Sequence, residues 1–486
     1  MISLDTLLCE AANGCSNLAR HVRAIHAGSG EAAADALRRV RRLAAAFSQA
    51  YPEANEVFVV RAPGRVNLIG EHTDYNGLPV MPMAISRDVL IMAAPAAGPV
   101  SRAVNTDARF APREFAIERS IPPFERGDWG NYLKSATQGL VDHWGGSDGL
   151  RGVLMAVDGT VPIASGLSSS AAFTIAAALA LLHANRRTIE PREFAERMAS
   201  SDHYVGMASG GMDQAAAILG QTGKALKIDF HPLRVQAVAL PADAAIVVCN
   251  SRVEAAKAGS ARDGYNRRTV ECRLAAAVLH ARGAGMSKPA PALLGEWLAN
   301  ETNGFDDALR KIDLLLHEGG YPIPELCTAL DITAETAAGV YCKTKAGDRY
   351  PEPSGGFELK KRARHVITEA RRVAQSFELL NRMPKDAARQ FGALMNASHQ
   401  SCRDDYEISC AELDELVSAA RKAGAFGARL TGAGFGGCTV NLVPAADVAA
   451  FMKAVAGAYY TPRGMADLPD NQFAFSPASG AGVLVT

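Results

Sequence analysis

Along residues 152–161, "GVLMAVDGTV", apolar and polar positions alternate roughly, with Val153, Met155 and Val157 on one side; this period predicts a half-buried strand. The run "AFTIAAALALLHA" at 172–184 is apolar all round and rich in alanine, the pattern of a buried helix. Upstream, Leu37, Val40, Leu43 and Phe47 recur at helical spacing within residues 31–50. The arginines at 38, 39, 41 and 42 on that helix read as a solvated face rather than a nucleic-acid patch, with Glu31 and Asp35 placed well near the helix start. From Val57 the texture turns to strands and Gly/Pro turns, through "VFVVRAPGRVNLIG" to "KALKIDFHPL" and a further strand, "AAIVVCN", at 244–250. Residues 281–355 are richer in turns and polar positions, with "GMSKPAPA" and "DRYPEPSGG" as loops. Helices resume with "FELKKRARHVITEARRVAQSFELL" and again from Ser409, where Ser409 and Glu412 predict a capping box ahead of Leu413, Leu416 and Val417. A Gly-rich turn, "TGAGFGG", then feeds a strand, "CTVNLV". Strands and helices are mixed, with no fixed-period repeat. The expectation is an α+β protein of two lobes, with a boundary near Phe230 to Pro232.

The bulk composition narrows the class. A chain of 486 residues with 48% hydrophobic and 21% charged positions has room for two or more domains, each with a sizeable core. Lys plus Arg (51) balances Asp plus Glu (51), so no global field points to nucleic acid or to a membrane. The nine cysteines form no CxxC pair, which argues against zinc clusters and a disulfide framework and for a reducing, cytoplasmic setting. No apolar run approaches the roughly 18 residues of a membrane span, and "MISLDTLLCEAANGC" lacks the basic start of a secretion signal.

Three stretches carry candidate chemistry. "PIASGLSSSAA" (162–172) enters a helix, where unpaired N–H groups and the positive end of the dipole favour an anion, although a plain serine N-cap would look the same. No lysine follows the glycines as in a Walker loop; a bound phosphate therefore requires a metal ion and basic groups from elsewhere. "RAPGRVNLIGEHTDYNG" (61–77) gathers Glu71, His72 and Asp74 around a turn. These adjacent residues do not match helical zinc spacing, but their oxygens and imidazole suit the hydroxyls of a sugar; a polar loop packed on itself is the alternative. In "GMASGGMDQAAAILG" (206–220), Gly210 and Gly211 let backbone approach a ligand, and Asp213 opens an apolar segment as either a functional carboxylate or a mere N-cap. Asp202, near the end of the preceding helix, is placed to reach a metal ion.

In this order, "PGRVNLIGEHTDYNG", "PIASGLSSSAA", "GGMDQ" and "LTGAGFGGCTV" resemble the motifs of the galactokinase branch of the GHMP kinases, from about Val57 onward. The resemblance implies a two-lobed GHMP kinase fold with its active site in the cleft between lobes. Residues 1–50 would be a helical extension, 51–230 the N-terminal domain, and 231–486 the C-terminal domain with a variable segment at 281–355. It further implies that Asp213 is the catalytic carboxylate with Arg65 beside it, and that Glu71, His72, Asp74, Gly210, Gly211 and Tyr265 face the sugar. The loop Gly166, Leu167, Ser168, Ser169, Ser170, Ala171 and Ala172 would wrap ATP, with Trp129 on the adenine side. Ser169, Ser170 and Asp202 would hold Mg2+, although Asp202 stands where most of the family has Glu. The implied reaction is in-line transfer of the ATP γ-phosphoryl to the anomeric hydroxyl of galactose, by a cytoplasmic monomer. The alternatives are an N-acetylgalactosamine kinase, suggested by "NSRVEAAKAG", "VECRLAA" and "ALMNASHQSCRDDYE", and a non-catalytic sugar- and ATP-binding regulator; the complete "GLSSSAA" loop argues against the latter.

Overall fold

In the computed structural model, residues 1–486 are described except 27–29, 207–209, 255–259, 285–290, 345–346 and 486. The chain opens with a two-residue strand, β1 (Ile2–Ser3), and three helices, α1 (Leu4–Ala12), α2 (Asn17–Ile25) and α3 (Gly30–Ala50). The long strands β2 (Glu56–Ile69) and β3 (Met81–Pro95) follow, then β4 (Val100–Asn105), β5 (Arg113–Ala116), α4 (Gly130–Trp144) and β6 (Val153–Gly159). These strands form one sheet in the order β1-β2-β3-β6-β4-β5, antiparallel except for the β4–β6 pair.

The alternation along β2 explains why both faces of this sheet are covered. Val57 and Val59 pack with Leu43 and Phe47 of α3 on one face. Phe58 and Val60 pack on the other face with Ile175 and Leu181 of α5 (Ser169–Ala184). Helix α3 therefore forms a layer on one face of the sheet, with α1 and α2 packed against it.

The arginines of α3 are not all solvated. Arg39 is 3% exposed, and its guanidinium donates to Asp88 Oδ1 of β3 and to Asp158 Oδ1 of β6, each at 2.6 Å. Arg42 also pairs with Asp158, and Arg61 of β2 with Asp88. The run is an ionic clasp between α3 and the sheet.

After α5 come α6 (Pro191–Ser201), α7 (Met212–Leu219) and the hairpin of β7 (Lys224–Asp229) and β8 (Arg234–Ala239); the expected boundary at Phe230 to Pro232 is its turn. Then follow β9 (Ala244–Asn250) and the long α8 (Ser260–Ala284). Residues 294–336 are largely helical, as α9 (Leu294–Ala299), α10 (Phe305–Leu315), α11 (Ile323–Leu330) and the single turn α12 (Ala334–Thr336), where turns were expected. Trp297, Ile312 and Leu326 from this segment enter one core with Val366 and Ala370 of α13 (Leu359–Arg382). "DRYPEPSGG" is a loop with only a bridge residue, whereas "GMSKPAPA" falls mostly outside the described residues.

The chain closes with α14 (Ala387–Asp404), α15 (Ala411–Lys422), β10 (Gly427–Thr431), β11 (Cys438–Pro444), α16 (Val448–Val455), β12 (Gln472–Phe475) and β13 (Gly482–Val485). A four-stranded antiparallel sheet runs β10-β11-β9-β12, while β13 returns to pair with β2. The capping box is not formed. The cap of α15 is Cys410, and the Ser409 hydroxyl instead donates to Asp414. All nine cysteines are free, and among the described residues no helix is long and apolar enough to cross a membrane.

Candidate active site

The site forms where the end of β2, the N-termini of α5 and α7 and the loop between β10 and β11 meet. Glycines make this contact possible. A Cβ on Gly64 would lie 2.7 Å from the Leu167 carbonyl, and one on Gly166 would lie 2.7 Å from that of Thr431. One on Gly437 would lie 2.8 Å from the Ser165 carbonyl, so the phosphate-type loop is held backbone against backbone by the Gly-rich turn. Gly166 also has φ 79°, which side chains resist.

At the centre stands an ion pair. Arg65 Nε and Nη2 reach Asp213 Oδ1 at 2.7 and 2.5 Å, and Arg65 Nη1 donates to the Gly166 carbonyl at 2.5 Å. The Ser168 hydroxyl donates to Asp213 Oδ2. Gly211, left-handed at φ 98°, is the N-cap of α7, so Asp213 is not a cap: it projects from the first turn. Ser169 and Ser170 lie half-buried in the first turn of α5, with Ala171 and Ala172 buried beneath.

The sugar-motif residues pack against one another and against Gly210. Gly210 presses on Asp74 so closely that a Cβ there would lie 2.4 Å from the carboxylate. His72, left-handed at φ 63°, shares a hydrogen bond with the Tyr75 hydroxyl through Nδ1 (2.9 Å) and donates from Nε2 to the Ala433 carbonyl (3.1 Å). Burial lowers its pKa to about 3, so the ring is neutral near pH 7. The Tyr265 ring lies 5.5 Å from His72 and 5.3 Å from Tyr75 between centroids. Burial, followed by the charges of Asp74, Asp213 and Asp202, pushes the Tyr265 hydroxyl well above its ordinary pKa. Tyr265 thus packs its ring against the sugar-motif loop.

Glu71 is placed differently. It is 1% exposed and accepts from Arg429 Nη2 at 2.7 Å; burial raises its pKa to about 7 against the opposing pull of Arg429 and Arg65. Behind it, Glu369 accepts the N–H groups of Gly70 (2.8 Å) and Glu71 (3.2 Å), and His365 bonds the Glu71 carbonyl. Arg429, Glu369 and His365 escaped the sequence reading. A charged residue inside the apolar strand "GARLT" was the available signal for the first.

Trp129 is buried at the start of α4; its indole N–H donates to the Ala111 carbonyl at 2.9 Å, and its ring meets Phe173 of α5 edge-on at 5.7 Å. Asp202 caps the C-terminus of α6 and accepts from Gln214 Nε2 at 2.7 Å. Among the described residues no three His, Cys, Asp or Glu side chains gather as a metal cage. Asp202, Ser169 and Ser170 offer hard oxygen donors, a set that suits Mg2+ bound mainly through nucleotide phosphates and water.

Comparison with known proteins decides the family. Residues 45–95 match the galactokinase galactose-binding signature, and residues 131–221 and 378–461 match the N-terminal and C-terminal domains of GHMP kinases. A galactokinase of Dictyostelium discoideum is 33% identical over 479 residues, covering 92% of this chain and 94% of its own. The chain belongs to the galactokinase family. A Saccharomyces cerevisiae galactokinase is 34% identical over 459 residues, covering 82% of this chain and 84% of its own. The solved Lactococcus lactis galactokinase complexed with galactose superposes with a TM-score of 0.72 at 28% identity, covering 90% of this chain and 98% of that one. The Methanococcus jannaschii mevalonate kinase shares the fold, with a TM-score of 0.53 at 16% identity, covering 87% and 99%. This galactokinase thus has the two-lobed α+β GHMP fold over nearly its full length.

Proposed function

We propose that Asp213 and Arg65 carry the phosphoryl transfer of this galactokinase, which uses ATP to convert galactose to galactose 1-phosphate. The observation that carries the residue assignment is the Arg65–Asp213 pair, seated between a Gly/Ser loop at a helix N-terminus and the pocket of Asp74, His72 and Tyr265. The loop N–H groups and the dipole of α5 suit the nucleotide phosphates. Asp213 accepts the proton of the anomeric hydroxyl late in the transfer, its larger contribution being alignment of that oxygen in line with the γ-phosphorus. Arg65 offsets the Asp213 charge and stabilises charge on the transferring group. Asp202, Ser169 and Ser170 would hold Mg2+ together with the phosphates, and the ion would supply charge neutralisation. In this reading Gly210 and Gly211 admit the sugar, Glu71 braces the sugar loop through Arg429, and Trp129 walls the adenine side through Phe173.

The reading takes the enzyme as a cytoplasmic monomer. ATP consumption measured over a panel of free hexoses and N-acetylhexosamines tests it. Galactose is expected to give the highest kcat/KM, and preference for N-acetylgalactosamine would overturn the choice of sugar. Tyr265→Phe removes a hydroxyl that can donate to and accept from the sugar. It is expected to lower kcat/KM for galactose about fivefold, the roughly 1 kcal/mol worth of one hydrogen bond. Steady-state kinetics of the purified variant on both sugars checks this, and an unchanged galactose value would show that Tyr265 only packs.

A further inference from the structure

Serine is a favoured helix N-cap, yet Ser168, at the N-cap position of α5, makes no capping bond with its side chain. Its backbone is left-handed (φ 60°, ψ 44°), a conformation that non-glycine residues seldom adopt, and its hydroxyl points to Asp213 instead. The neighbouring backbone fixes this direction. The Leu167 carbonyl takes the Arg65 N–H at 3.1 Å, the Ser168 carbonyl takes the Ala172 N–H at 3.1 Å, and Gly166 abuts Thr431. The two oxygens of Asp213 are therefore held by different donors, Oδ1 by Arg65 and Oδ2 by Ser168.

We propose that Ser168 is a positioning residue for Asp213, fixing the rotation of its carboxylate so that one lone pair faces the sugar, rather than a ligand of the ATP phosphates. The loop divides its work accordingly. Ser168 serves the acceptor side, and its hydroxyl makes no capping bond to α5. The strained backbone at Ser168 fits this, because strain held by its surroundings concentrates where geometry is needed for function. The inference rests on Asp213 being the catalytic carboxylate.

The test uses the full chain with Ser168→Gly and Ser168→Ala. Both lack the hydroxyl; glycine relaxes the left-handed backbone, whereas alanine keeps its cost, so a loss shared by both belongs to the hydroxyl. Both are expected to lower kcat about tenfold, as for a lost hydrogen bond to a charged group, with KM for ATP and galactose within about twofold of wild type. In an Asp213→Asn background, Ser168→Gly is expected to lower kcat no further. A KM for ATP raised tenfold with kcat preserved would assign the hydroxyl to the phosphates and overturn the proposal. So would an equal loss of kcat in both backgrounds. If Asp213→Asn alone keeps wild-type turnover, the catalytic reading beneath it falls as well, an outcome distinguishable from the other two. Should the glycine variant not fold, the alanine variant carries the same cycle.

Discussion

Asp213→Asn is expected to lower kcat by at least about a hundredfold, the effect of losing an acid–base group, while galactose and ATP bind within a few-fold of wild type. The substitution keeps the shape of the side chain. Asn can still accept from Arg65 at the position of Oδ1, and its amide can donate to the Ser168 oxygen, so the constellation of Arg65, Gly166 and Ser168 has no reason to collapse. What disappears is the negative charge that balances a nearly buried guanidinium and that we propose receives the proton. Turnover and the binding of both substrates, measured separately, decide the matter. More than a tenth of wild-type kcat would remove Asp213 from the chemistry.

The second large effect is on stability. Arg39→Met is expected to destabilise the fold by about 3 kcal/mol at neutral pH, the low end for breaking a buried ion pair by removing one partner. The low end applies because neither carboxylate is left alone: Asp88 keeps Arg61, and Asp158 keeps Arg42. The lost guanidinium also donated to the backbone carbonyls of Asp88 (3.2 Å) and Asp158 (3.0 Å). Burial alone would raise the pKa of Asp88, but Arg39 and Arg61 overcome it and hold the group below its ordinary 3.8. A carboxylate lowered in the folded state stabilises fully above its unfolded pKa and loses that contribution as pH falls through the folded value. The stability gap between wild type and variant should therefore persist from neutral pH to about 4 and narrow only in stronger acid. Urea unfolding at pH 7 and pH 3 measures both points, and a gap under about 1 kcal/mol at pH 7 would mean that the clasp contributes little.

Two arginines, Arg39 read as solvated and Arg429 not singled out, show what a linear pattern conceals. The partners of Arg39 lie 49 and 119 residues away, and the partner of Arg429 lies 358 residues away. Helical phase puts Arg39 at the edge of the buried stripe, between Ala36 and Leu43, but nothing in the local run of α3 names its partners. The elements that were legible, such as β6, β9, β11 and α5, are buried along most of their length and so stand out as continuous apolar runs. Helices α9, α10 and α11 each bury only two residues, too few for a period to stand out among prolines, glycines and charges. The serine loop, Arg65 and Asp213 were legible as motifs. The direction of the Ser168 hydroxyl was not, because it follows from a left-handed backbone set by Gly-rich segments of two other strands.

The pairing of β2 bears on how the chain can be made. One side of β2 pairs with β3 over nearby sequence, but the other is completed by Ile2–Ser3 and then by residues 482–485 against Val59 to Arg61. During synthesis, that edge of a fully buried strand must wait until more than four hundred further residues have left the ribosome. Ligation so late in sequence makes the sheet slow to close and leaves a sticky edge in every nascent form. A chain truncated before residue 482 would carry both substrate motifs and both halves of its ionic clasp, yet it would resemble a nascent client of the chaperones more than a shortened enzyme.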